Sequence, residues 1–159
     1  MGGKTRVAVG LAVVASALGM TGCLAPDISE SSFRGADGRP INVITSVAEF
    51  DRGVLGGAGP QVVVFYSPTC PHCGGLIRKL PEVVAQNPGV DFCVVNVYDL
   101  PDLGAREGVT GVPTTIGYHH GREFGRFTGN RSAKSFGNWL HGGARGRQHR
   151  PPPPPRGRR

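Results

Sequence analysis

The sequence predicts one α/β domain, a mixed central sheet flanked by helices on both faces, and three observations predict it. Two strand-length apolar runs, 61–66 and 90–97, read as strands buried on both faces. Segments of helical periodicity alternate with them, as in consecutive β-α-β units. Beyond Thr114 the pattern changes to a hairpin and one last helix. A chain of 159 residues fits a single domain and is too short for a barrel of eight β-α units.

Each element carries its own signal. Residues 41–44, Ile-Asn-Val-Ile, form a short strand candidate. Thr45 or Ser46 can cap a helix through Leu55, with Val47, Phe50 and Val54 on its inner face. After the strand at 61–66, residues 71–86 are expected as one helix kinked at Pro81, with Leu76, Ile77, Leu80, Val83 and Val84 inward. The strand at 90–97 follows, then a short helix over 101–107 opened by Pro101. Residues 114–118 and 123–128 flank a turn at His120-Gly121 and read as an antiparallel hairpin. Asn130 or Ser132 caps a final helix through Leu140, with Phe136, Trp139 and Leu140 toward the core. The domain is therefore expected over 41–141.

The two ends differ in composition from this middle. Gly 26 and Pro 14 make up about a quarter of the chain, yet five of the prolines form the single run Pro151 to Pro155. Of the net charge of +7, eight positive charges come from Lys4, Arg6, Arg145, Arg147, Arg150, Arg156, Arg158 and Arg159. The remainder is slightly acidic, so the domain offers no footprint for nucleic acid.

Residues 1–23 read as an export signal. Lys4 and Arg6 precede an uncharged run from Val7 to Met20, shorter than the about 20 residues a membrane span needs. Met20-Thr21-Gly22-Cys23 resembles a bacterial lipobox, in which Cys23 is lipidated and anchors the chain to a membrane. Ala15-Ser16-Ala17 offers ordinary secretory cleavage instead, and an uncleaved anchor is the third reading. Residues 24–40 are polar and Gly/Ser/Asp-rich, the composition of a flexible tether. Residues 142–159 are expected as a disordered Gly/Arg/Pro-rich tail. Every one of these readings puts the domain outside the cytosol, in the cell envelope or periplasm or secreted.

Cys70-Pro71-His72-Cys73 follows the first buried strand and opens the next helix. A zinc site of paired CxxC motifs would need a second pair, and the sequence has none. At a helix start the free N–H groups stabilise an anion, so a thiolate at Cys70 is expected with a depressed pKa. Each unit of depression is worth about 1.4 kcal/mol. Pro71 suits the first turn, where its missing N–H costs nothing.

Residues 65–73, Phe-Tyr-Ser-Pro-Thr-Cys-Pro-His-Cys, resemble the active-site segment of the thioredoxin superfamily. Residues 109–115, Val-Thr-Gly-Val-Pro-Thr-Thr, are similar to its second signature, the loop with a cis-proline. Residues 129–132, Gly-Asn-Arg-Ser, resemble the approach to the last helix in protein disulfide isomerase domains, and Cys-Pro-His-Cys is similar to the Dsb-type periplasmic oxidases. The resemblance implies a thioredoxin fold and thiol-disulfide exchange with exported protein substrates. Cys70 would be the nucleophile and Cys73 the resolving cysteine. Pro71 and His72 would tune the pair, an imidazole near Cys70 favouring thiolate over disulfide. Val112 and Pro113 would present backbone to an extended substrate. The resemblance implies no cofactor beyond the Cys70–Cys73 disulfide, no metal, and a redox recycling partner for what is expected to be a monomer.

The sequence also departs from these relatives. The helical insertion of the Dsb oxidases has no room here, since 16 residues separate Cys73 from Val90. The buried acid common six residues before the first cysteine is Val64, and the aromatic residue before that cysteine is Thr69. Pro71, His72 and the absent acid favour oxidase or isomerase over reductase. The rivals are a membrane-tethered reductase, as in cytochrome maturation, and a soft-metal chaperone using Cys70 and Cys73. A non-catalytic interaction protein on the same scaffold is the third. Cys93 reads as core filler, Trp139 as packing of the last helix, and His119 and His120 as remote from the cysteines.

Overall fold

The computed structural model describes residues 33–144. The expected signal segment with Cys23, and the tail from residue 145 onward, lie outside the described residues. The elements run β1 (Asn42–Val43), α1 (Val47–Phe50), β2 (Pro60–Tyr66), α2 (Pro71–Ile77), α3 (Leu80–Gln86), β3 (Asp91–Asn96), α4 (Pro101–Arg106), β4 (Thr114–His119), β5 (Arg122–Thr128) and α5 (Ala133–Ala144). A wider π-helical turn over Asp51–Leu55 continues α1.

One five-stranded sheet has the order β1-β3-β2-β4-β5. β3 pairs in parallel with β1 and β2, whereas β4 is antiparallel to β2 and β5 to β4. Because side chains alternate along a strand, β2 feeds two cores. Val62, Val64 and Tyr66 face Leu76 of α2, Val83 of α3 and Phe136 of α5. Val63 and Phe65 face Phe50, Val54 and Leu103 on the other side. The predicted mixed sheet with helices on both faces is the fold observed.

The hairpin turn holds His120 at φ 50° and Gly121 at φ 69°, both left-handed, the backbone of a two-residue type I′ connection. A side chain at Gly121 would also collide with the Leu55 carbonyl. Ser132 caps α5, its hydroxyl accepting from the Ser135 N–H at 3.2 Å.

Three expectations are revised. The helix over 71–86 is two helices, broken at Arg78 and Lys79. Pro81 has no N–H to donate to the turn before it, so the break falls in that turn rather than as a kink within one rod. Val47 points outward, 37% exposed, because only Phe50 and Val54 reach the sheet from this short helix.

The tether expected over 24–40 is packed structure from Phe33 onward. Phe33 is buried against Tyr66, ring centroids 5.9 Å apart. The Ile41 N–H donates to the Phe33 carbonyl at 2.8 Å and the Ala36 N–H to the Pro81 carbonyl at 2.9 Å. Arg39 caps the C-terminal end of α3, donating to the carbonyls of Val84, Asn87 and Val90 while paired with Asp37. One buried aromatic and one long cation suffice to dock a segment whose composition is that of a linker. Among the described residues no helix is long and apolar enough to cross a membrane.

Candidate active site

Parallel strands β2 and β3 finish at the same end of the sheet, and β4 begins there. Cys70 follows the central strand β2 at this end as the N-cap of α2, with φ −88° and ψ 116°. It is half-buried, and Cys73, one turn on, is fully buried. Ser67 organises the loop between strand and cysteine. Its carbonyl accepts the Cys70 N–H at 3.2 Å, and its hydroxyl accepts the Thr69 N–H at 3.2 Å.

The two thiols are pushed in opposite directions. Burial raises the Cys70 thiol, but hydrogen bonds from the Cys73 thiol and from the backbone N–H groups of Cys73 and His72 outweigh it, and its pKa falls below the ordinary 9.0. Burial pushes Cys73 up to about 12 against a weaker opposing contact from the Ser67 backbone, and the neighbouring Cys70 adds to the rise. Thiolate, not thiol, is the nucleophilic form, and of the two cysteines Cys70 is the more readily ionised. Alkylation with iodoacetamide at increasing pH is expected to modify Cys70 first, at pH values below 9. Cys73 and the buried Cys93, also pushed up to about 12 by desolvation, should react only as the pH approaches that value. Peptide mapping of the labelled thiols checks this order.

Pro71 and His72 are both exposed on the first turn of α2. From His72 it is the main-chain N–H that faces the Cys70 sulfur. The Val112–Pro113 bond is cis, and the Cys70 thiol lies 3.5 Å from the Val112 carbonyl, to which it can donate. Thr114 and Gly129 hold this loop in place. The Thr114 hydroxyl donates to the Gly111 carbonyl at 2.6 Å, and the Gly129 N–H donates to the Pro113 carbonyl at 2.8 Å. Next to it Asn130 lies over Gly75 of α2, where a side chain would collide with it, and accepts from Lys79 at 2.8 Å. The structure therefore brings Cys70, Pro71, His72, Cys73, Val112 and Pro113 together at one end of the strands.

His119 and His120 stack at 4.2 Å in the hairpin, and His119 pairs with Pro60 at the opposite end of β2 from Cys70. Among the described residues no three His, Cys, Asp or Glu side chains group to hold a metal. Cys93 sits in the core with Val63 and Val95. Trp139 packs on Phe127 and Phe136, ring centroids 4.9 and 5.6 Å away.

Two features escaped the sequence reading. Tyr98, in the loop after β3, reaches the Thr69 hydroxyl at 3.2 Å, and Thr69 lies 3.0 Å from the Ser67 hydroxyl. A lone aromatic in a turn has no periodicity to mark it. The second is Thr115, fully buried, whose hydroxyl has no hydrogen-bond partner among the described residues. It pairs across the sheet with Val64 on the α2 side. An unsatisfied buried hydroxyl costs about 1–3 kcal/mol, so Thr115→Val is expected to raise stability by about 1 kcal/mol. A urea titration measures it; a loss of stability would show that the hydroxyl is satisfied in solution.

A βαβ unit followed by a hairpin and helix, with a CxxC helix start facing a cis-proline loop, defines a thioredoxin-fold domain. The thioredoxin family model matches residues 41–142, and the chain belongs to that family. It is similar to the chloroplastic thioredoxin M5 of Oryza sativa subsp. japonica, 27% identical over 82 residues, covering 51% of this chain and 48% of that one. Protein disulfide isomerase-like 5-3 of the same organism is 34% identical over 101 residues, covering 61% of this chain and 23% of that protein. The chain thus spans half or less of the length of these two relatives. Mitochondrial thioredoxin 3 of Saccharomyces cerevisiae in its oxidized form superposes with a TM-score of 0.59 at 24% identity, over 64% of this chain and 94% of that one.

Proposed function

We propose that the protein is a thiol-disulfide oxidoreductase acting on exported proteins, with Cys70 as nucleophile and Cys73 as resolving cysteine. The observation that carries this reading is the pair itself: a half-buried thiol held below its ordinary pKa, one turn from a buried partner and beside the cis Val112–Pro113 loop.

In the reducing direction, the Cys70 thiolate attacks a substrate disulfide. A Cys70–substrate disulfide forms, and the substrate's other sulfur leaves as a thiolate that takes up a proton. Cys73 loses its proton and attacks the Cys70 sulfur, closing the Cys70–Cys73 disulfide and releasing the second substrate thiol. Two electrons pass from the pair to the substrate. The oxidising direction runs the same bonds in reverse, and a recycling partner of thiol or disulfide chemistry resets the pair. Val112 offers its backbone to an extended substrate in the manner of strand addition.

We favour oxidase or isomerase action. N–H donors at Cys70 stabilise the thiolate, and a stabilised thiolate makes the disulfide the stronger oxidant. Cys-Pro-His-Cys, with His72 contributing its main-chain N–H beside the Cys70 sulfur, works in the same direction. Val64 stands where the family carries a buried acid, so the Cys73 proton exchanges with another acceptor in both directions of the reaction. Lys4, Arg6, the run to Met20 and the lipobox-like Cys23 support an envelope location with a lipid anchor. The test is refolding of a reduced, disulfide-containing secreted protein in a glutathione buffer. Acceleration by the full chain supports the reading, and no acceleration together with efficient insulin reduction would replace it with a dedicated reductase.

A further inference from the structure

We propose that Tyr98 is a specificity-determining residue of this site, a platform for a large apolar or aromatic side chain next to the reacting cysteine of the substrate polypeptide. The inference rests on the thiol-exchange reading above and adds what the site selects.

β2 lies between β3 and β4, so the loop after β3 and the loop before β4 flank the segment that leads from β2 to Cys70. Val112 lies in one of these loops and Tyr98 in the other. A polypeptide laid on the Val112 backbone with its sulfur at Cys70 has Tyr98 on its far side.

Tyr98 is 66% exposed, whereas the next most exposed large apolar side chain among the described residues, Val43, is 42% exposed on the sheet edge. Its ring belongs to neither core. A tyrosine left in water at the rim of a reactive cysteine contributes little to folding.

The ring is also held in position. Its hydroxyl meets Thr69, the residue before Cys70, and Thr69 is itself tied to Ser67. Its backbone N–H donates to the Asn96 side chain at 3.1 Å, and Asn96 donates to Asp99 at 2.7 Å. The Val97 N–H donates to the Tyr66 carbonyl at 2.9 Å, fixing the loop to β2. An aromatic side chain ordered before binding loses little freedom on contact, which is what makes tyrosine an effective recognition residue. The tie runs through the residue adjoining the nucleophile, so platform and sulfur keep a fixed spacing.

The test uses two synthetic peptide disulfides that differ only beside the cysteine, one carrying phenylalanine and the other glycine. The readout is the ratio of their kcat/KM values for the full chain and for its Tyr98→Ala and Tyr98→Phe variants. The original protein is expected to prefer the phenylalanine peptide by about tenfold, the scale of one aromatic contact. Tyr98→Ala should bring the ratio close to one, and Tyr98→Phe, which keeps the ring but loses the bond to Thr69, should fall between the two. General damage to the site lowers both rates and leaves the ratio in place. An unchanged ratio in Tyr98→Ala, or no preference in the original protein, overturns the inference while leaving thiol exchange standing. Inactivity of the original protein toward both peptides overturns the exchange reading and this one with it.

Discussion

Cys70→Ser is expected to abolish disulfide exchange, lowering the rate by at least about a thousandfold, the scale of losing a covalent nucleophile. Cys73→Ser should behave differently. With the N–H donors around Cys70 still in place, the first attack proceeds and the protein accumulates as a mixed disulfide with its substrate. The neighbouring Cys73 also lowers the Cys70 pKa, so its replacement should raise that pKa, as the pH dependence of Cys70 alkylation measures. Non-reducing electrophoresis separates the outcomes: no adduct with Cys70→Ser, a stable adduct with Cys73→Ser. Equal trapping by both variants would contradict the assigned roles.

The largest structural effect is expected at Phe136. It is fully buried where α5 meets the sheet and touches three other aromatic rings, Phe127 at 5.3 Å, Trp139 at 5.6 Å and Phe92 at 6.3 Å. Phe136→Ala removes about 3–5 kcal/mol through lost burial and the cavity left behind. That is a large part of the 5–15 kcal/mol that holds a typical domain folded. Denaturant unfolding of the full chain measures the loss. A cost below about 1 kcal/mol would mean that α5 is not part of the cooperative core. The same helix start carries Asn130 against Gly75 of α2, so loosening α5 should also loosen the active-site helix.

The architecture was legible because it rests on long-range apolar pattern. Val62 to Tyr66 and Phe92 to Val95 are buried on both faces and read as such from composition alone. The placement of Cys70 and Cys73 at a helix start was legible from their spacing after a buried strand, and the cis bond before Pro113 from a motif of its own. Phe33 and Arg39 were not, because a segment docked by two side chains has no periodicity. The break between α2 and α3 was half visible: Pro81 marked the place, but the turn that gives way precedes it. Thr115 needed the register of β4 against β2, which turns an ordinary strand threonine into the buried neighbour of Val64. Tyr98 needed its contact with Thr69, across 29 positions of chain.

Equilibration of the full chain against glutathione buffers of graded potential tests the central claim most directly. The expected result is a reversible two-electron transition between free thiols and a Cys70–Cys73 disulfide, with a midpoint more positive than about −200 mV. A midpoint near about −270 mV would keep the exchange chemistry but reverse its favoured direction. Failure of Cys70 and Cys73 to form an intramolecular disulfide at any potential would contradict the account.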